Sequence, residues 1–177
     1  MGYDLYGMDP VVHKSIEEYP VLDKYQDMDC KEKDKVFDSD KKLKDKYWEE
    51  YDAKQNENAG DYFRANVWWW RRIWIFTCEI CKDVLDKEDI EAGDSNSGYE
   101  ITAHKAVKIA ELLQESINDG TAAEYEEWVK DYMKNVKKDE HDWPKHKKDW
   151  MANYPFEVSF LRRFITFCSE SGGFQIS

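Results

Sequence analysis

The stretch DYFRANVWWWRRIWIFTCEICKDVL, Asp61–Leu85, decides how this chain of 177 residues is read. Within it Phe63, Val67, Trp70, Trp74, Thr77, Cys81 and Val84 recur at alternating steps of four and three. Residues so spaced lie along one face of an α-helix. Tyr62, Trp69, Ile73, Phe76 and Ile80 widen that face on one side. The spacing predicts one helix over 61–85, embedded against several others at the centre of the fold.

Toward the N-terminus, residues 56–60 (NENAG) break this pattern. Residues 11–58 are rich in Lys, Asp and Glu, and within them Val36, Leu43, Tyr47, Trp48 and Tyr51 recur at roughly helical spacing. A charged amphipathic helix over 32–54, lying on the domain, is expected there. Tyr3–Gly7 has the look of a short strand closed by Gly7 and Pro10.

Toward the C-terminus, residues 86–89 and 93–98 are polar and rich in turn formers, which suggests a connection. Thr102 is placed to cap a helix containing Ala106, Ile109, Ala110, Leu113 and Ile117, with Gly120 suited to its end. Thr121 with Glu124 matches a capping box, and Tyr125, Trp128, Val129, Tyr132, Met133 and Val136 follow in amphipathic order. Residues 137–148 are highly charged, contain Pro144, and are expected to be a loop or a frayed connection. A last helix should carry Phe160, Leu161, Phe164, Ile165 and Cys168 inward. Residues 174–176 form a short strand in this reading, paired with 3–5. The expectation is a mainly α fold: one compact helical domain over 1–177, with 11–58 a charged helical insertion and a small two-stranded sheet joining the termini.

The chain is 36% charged and 15% aromatic, with a net charge of −12. Large rings each remove much area from water, so few are needed for a core. The acidic balance argues against direct nucleic-acid binding, which draws affinity from releasing counterions to a basic surface. No run approaches the roughly 20 apolar residues of a membrane span, and the first residues lack the regions of a signal peptide. A cytoplasmic location is expected, with the four cysteines reduced.

On the predicted 61–85 helix, Arg64, Trp68, Arg71, Arg72 and Ile75 share one sector opposite the apolar face, with three- and four-residue spacings that bring neighbours together. A Trp ring flanked by guanidinium groups can stack a base or sugar and neutralise a phosphate or carboxylate. The alternative is that these arginines pair with carboxylates of the 11–58 segment. Asn66, toward the apolar side, either fixes a neighbouring segment or faces a ligand. Cys78-Glu79-Ile80-Cys81 is a CxxC inside a helical pattern, where buried thiols are expected instead of redox or zinc chemistry. His141 and His146 flank Trp143-Pro144 and are a weak metal signal. No P-loop, GxSxG, HExxH or glycine-rich dinucleotide turn is present, so no catalytic residue, metal ligand or cofactor is assigned.

Three blocks carry a resemblance: Met1–Gly7 (MGYDLYG), Gly60–Arg71 (GDYFRANVWWWR), and Ala152–Phe156 (ANYPF) followed by Ser171–Ile176 (SGGFQI). Together they resemble a family of small uncharacterised bacteriophage and bacterial proteins with an MGxDxYG start, a YFRxNVWWWR block and a YPF…GGFxI ending. Residues 11–58 look like an insertion relative to that family. Many members carry paired cysteines before the YPF block, but residues 134–151 hold none, so no zinc role carries over. The resemblance implies an accessory protein of a phage or mobile element.

The leading functional expectation is a phage accessory protein acting by binding, either to a host protein or to a small anionic, nucleotide-like ligand at Arg64, Trp68, Arg71, Arg72 and Asn66. One alternative is an enzyme on a nucleotide-like metabolite, using Asp4, Asp61 or the 94–99 loop. The other is an acidic structural or nucleic-acid-mimic protein.

Overall fold

The computed structural model, which describes residues 2–139 and 149–177, contains one antiparallel sheet of four short strands. These are β1 (Gly2–Gly7), β2 (Tyr62–Asn66), β3 (Tyr99–Thr102) and β4 (Gly173–Ile176), in the spatial order β2-β1-β4-β3. The termini are joined as expected, but residues 174–176 pair with 5–7 and not with 3–5: Leu5 stands opposite Ile176 and Gly7 opposite Phe174. The sheet is nevertheless twice the expected size, because β2 and β3 flank that pair. In β2, Phe63 and Ala65 are buried while Arg64 and Asn66 are exposed. That period of two marks a half-buried strand, and the longer helical period downstream conceals it.

Eight α-helices make the described chain mostly helical: α1 (Pro20–Tyr25), α2 (Cys30–Ser39), α3 (Lys41–Glu57), α4 (Val67–Ile80), α5 (Lys87–Ala92), α6 (Ala103–Asn118), α7 (Thr121–Asp139) and α8 (Val158–Glu170). The helix expected over 61–85 is therefore shorter at both ends. Asn66 sets its start, since Oδ1 accepts from the backbone N–H of Trp68 and of Trp69 at 3.0 and 3.1 Å. At the other end the N–H groups of Val84 and Leu85 both turn back to the Cys81 carbonyl. Asp86 then starts α5 with a reciprocal capping box to Asp89, where a plain polar connection was expected.

The aromatic core fills the space between one face of the sheet and helices α4, α6 and α8. Trp70 is fully buried, stacks on Tyr3 and Trp74 at 5.4 and 5.3 Å, and donates from Nε1 to the Gly93 carbonyl at 2.6 Å. Phe164 and Phe167 of α8 close over Phe63 and Phe174. Gly172 and Gly173, both at positive φ, turn the chain from α8 into β4. The opposite face of the sheet, carrying Asp4, Tyr6, Tyr62 and Arg64, is not covered by these helices. Thr121, expected as a cap, is itself the first residue of α7, and Asp119 Oδ1 accepts its N–H at 2.9 Å. Residues 137–139 continue α7 where a loop or frayed connection was expected, while residues 140–148 of that segment, with His141 and His146, lie outside the described residues.

Residues 8–61 join β1 to β2, two adjacent antiparallel strands closed by the Gly7 N–H bond to the Asp61 carbonyl at 2.9 Å. The 11–58 segment is thus an excursion within a hairpin. It holds α1, α2 and α3, because Asp40 breaks the helix expected over 32–54 by accepting from the Leu43 N–H at 3.1 Å. Tyr19, Leu22, Phe37 and Tyr47 form a small cluster of its own. Among the described residues, no helix is long and apolar enough to cross a membrane.

Candidate functional site

The five residues expected to form one surface are distributed over four environments. Asn66 is the N-cap of α4 and fixes the strand-to-helix junction. Arg72 is only 3% exposed, a burial that the helical projection alone does not reveal. It donates from Nε to the Tyr154 carbonyl and from Nη2 to the Met151 carbonyl, both at 3.1 Å. Its guanidinium lies over the rings of Trp128 and Tyr132. These contacts tie α4 to α7 and to the 150–154 segment, so Arg72 is a structural cation.

Trp68 and Arg71 do share a patch. The Trp68 ring lies 5.2 Å from that of Tyr154, and the Arg71 guanidinium stands 5.9 Å over the same Tyr154 ring. Arg71 also pairs with Asp94 at 3.5 Å, while its Nε is buried without a hydrogen-bond partner among the described residues. Arg64 is elsewhere: it projects from β2, so the i,i+4 neighbourhood with Trp68 does not exist. Its Nε stands 3.6 Å from Asp4, the residue opposite it on β1.

Arg64 instead lines a cleft of about 340 Å³ at the free side of β2. That volume lies within the range of small-ligand sites. Tyr51, Gln55 and Asn56 of α3 and Ala59 form one wall, Tyr62, Phe63 and Arg64 a second, and Arg163 and Thr166 of α8 a third. Arg163 lies over the rings of Phe63 and Phe160 at 5.8 and 5.5 Å. No carboxylate among the described residues forms an ion pair with it. Gln55 Oε1 is buried and has no hydrogen-bond partner among those residues. The Tyr62 phenol donates to Asp4; burial first, and then this bond, raise its pKa well above the ordinary value. Tyr62 is therefore a neutral, oriented ring on the cleft wall. Two guanidinium groups beside aromatic rings can neutralise a carboxylate or phosphate while the rings hold the group that bears it.

The carboxylates considered for acid–base chemistry are held apart by different cations. Asp4 faces Arg64, Asp61 pairs with Lys54, and Asp94 pairs with Arg71. Burial pushes the Cys78 and Cys81 thiols up to about 12 and the Cys168 thiol well above its ordinary value, so none is a thiolate near neutrality. Among the described residues no group of three His, Cys, Asp or Glu side chains is placed to hold a metal ion.

Arg163 was invisible as a site residue, because the pattern of the last helix marks only its inward positions. Ninety-nine positions separate it from Arg64, and no local period links the two. Comparisons with protein-family models, curated proteins and solved structures find no match.

Proposed function

We propose that this protein acts by binding, and that its partner presents an anionic group to Arg64 and Arg163 in the cleft beside β2. The observation that carries this reading is Arg163. In a chain of 38 acidic and 26 basic side chains, an arginine on the wall of a cleft with no ion pair among the described residues is a cation available to a ligand. Its position over two rings holds the guanidinium in place and limits the entropy lost on binding. Gln55 Oε1, buried and without a hydrogen-bond partner among the described residues, adds an acceptor that a donor on the ligand would satisfy. The three sequence blocks that resemble phage and bacterial proteins support an accessory role in a phage or mobile element, directed at a host component.

A thermal-shift screen with inorganic phosphate, nucleotides and glutamate-containing peptides tests the reading. A ligand at about 100 times its Kd stabilises the fold by about 2.7 kcal/mol, a readily measured change. The shift should disappear in Arg163→Gln and Arg64→Gln and persist in Arg71→Gln. Loss in Arg71→Gln alone would move the site to the Trp68–Tyr154 patch and overturn the assignment to the cleft.

A further inference from the structure

The class of partner follows from the part of β2 that lines the cleft, and it rests on the reading of that cleft as an anion site. Successive side chains of a strand point to opposite faces. Tyr62 and Arg64 lie on the open face of the sheet and Phe63 on the buried face, yet all three line one cleft. A space that meets both faces runs along the edge of the strand. β2 is the last strand in the sheet order, so no strand among the described residues occupies that edge.

The register identifies the backbone groups that face it. Asp4 exchanges both of its backbone hydrogen bonds with Ser177, each 2.9 Å, on the β4 side of β1. Arg64, its opposite residue on β2, therefore stands in a non-hydrogen-bonded pair. The Gly7 N–H bond to the Asp61 carbonyl sets the same phase from the other end. The N–H and C=O groups of Tyr62 and Arg64 thus point away from β1, and no partner for them is found among the described residues. Such a row of unpaired groups is a template for another strand.

We propose that an extended acidic segment of a partner protein adds to β2 as a fifth strand, its adjacent carboxylates meeting Arg64 on one face and Arg163 on the other. Arg64 projects on the open face, whereas Arg163 comes from α8 on the buried side and lies over Phe63. Neighbouring residues of an added strand also point to opposite faces, so two consecutive Asp or Glu residues match this placement. Main-chain bonds to Tyr62 and Arg64 supply affinity and the arginines supply selection. A mononucleotide would use the arginines but leave the edge groups without partners.

The test is a titration of the full ¹⁵N-labelled chain with an acetylated, amidated hexapeptide, Thr-Val-Glu-Glu-Val-Thr. Its counterparts carry glutamine for glutamate, or N-methyl groups on one or the other alternate set of amides. Adenosine monophosphate and inorganic phosphate are titrated in parallel. The Tyr62 and Arg64 amides should shift and gain protection from exchange with the glutamate peptide. The glutamine peptide should bind roughly tenfold or more weakly, and Arg163→Gln should erase most of that difference. Methylation of one alternate set should abolish binding and methylation of the other should leave it intact, since only alternate amides face β2. Equal binding of all methylated forms, or a nucleotide that fills the cleft while no peptide moves those two amides, overturns strand addition and leaves the anion site standing. Edge protection that rises with protein concentration alone would make the occupant a second copy and also overturn the proposal. If neither phosphate, nucleotide nor peptide perturbs the cleft, the anion site itself falls.

Discussion

Trp70 and Phe37 are both buried aromatic residues, but the regions around them are held by different forces. Trp70 belongs to a continuous cluster drawn from all four strands and from α4, α6, α7 and α8, in which rings meet rings. Phe37 belongs to a cluster of four buried residues, all from within the 11–58 excursion, with Tyr25 and Tyr47 as its ring neighbours. What the excursion lacks in apolar area it makes up in directed polar contacts. Glu50 accepts from the N–H groups of Val21 and Leu22 at 2.7 and 2.9 Å. Asn58, 1% exposed, accepts from the N–H groups of His13 and Lys14 at 2.8 and 3.1 Å. Glu57 accepts from Lys14 and Tyr19. A large apolar core sets its own geometry through packing, whereas a charged segment with few buried rings depends on hydrogen bonds at a few points.

The largest effect should come from Trp70→Ala, which opens a cavity in the main cluster and should cost about 3–5 kcal/mol in denaturant unfolding. A loss below about 1 kcal/mol would mean that the main region is not held by packing. Gly93→Ala should follow at about 1–3 kcal/mol, because a Cβ there would stand 1.8 Å from Trp74 Nε1. The backbone at Gly93 is right-handed helical, at φ −65°, so the contact alone opposes the methyl group. An unchanged melting temperature would show that the Trp74 ring moves freely.

Asn58→Ala acts on the other region. It leaves the His13 and Lys14 N–H groups without their acceptor, at a cost of about 1–3 kcal/mol. Hydrogen exchange should show protection lost across the 11–58 excursion while the amides of α4 and α8 keep theirs. Equal loss in both would make the two regions one cooperative unit and dissolve the contrast drawn between them.

The smallest effect is that of acid. Hydrogen bonds from Lys14, and then from Tyr19, hold the Glu57 carboxyl below the ordinary glutamate value. A depressed folded pKa contributes stability above the unfolded value of about 4.3, and that contribution is lost as pH falls through the folded value. Residues around Lys14 and Tyr19 should therefore gain exchange in the acid range before α4 does. A Glu57→Gln variant should show the loosening near neutrality and no further step there on acidification.

Much of the helical framework was legible because amphipathic periods are local. The inward positions Ala106, Ile109 and Leu113, or Leu161, Phe164 and Cys168, are buried as their spacing requires. The pairing of the termini was legible as well, since two short strand-like segments at the ends have few other partners. β2 was not. Its five residues fit a helical period that continues into α4, and the choice falls to the ladder with β1 and to the Asn66 cap. Of the expected site residues, Arg64 lines the cleft, Trp68 and Arg71 share the Tyr154 patch, and Arg72 is committed to two carbonyls.

The sequence alone determined the main inward positions of α6 and α8, the acidic balance, and the charged excursion between the first strand and the tryptophan block. Each follows from composition or from a period of a few residues. Only the tertiary structure decided that β2 forms an edge, that Arg163 stands across from it, and that Arg72 is buried. Those outcomes depend on contacts between positions about sixty to one hundred residues apart, and side-chain type and local spacing carry no record of such distances.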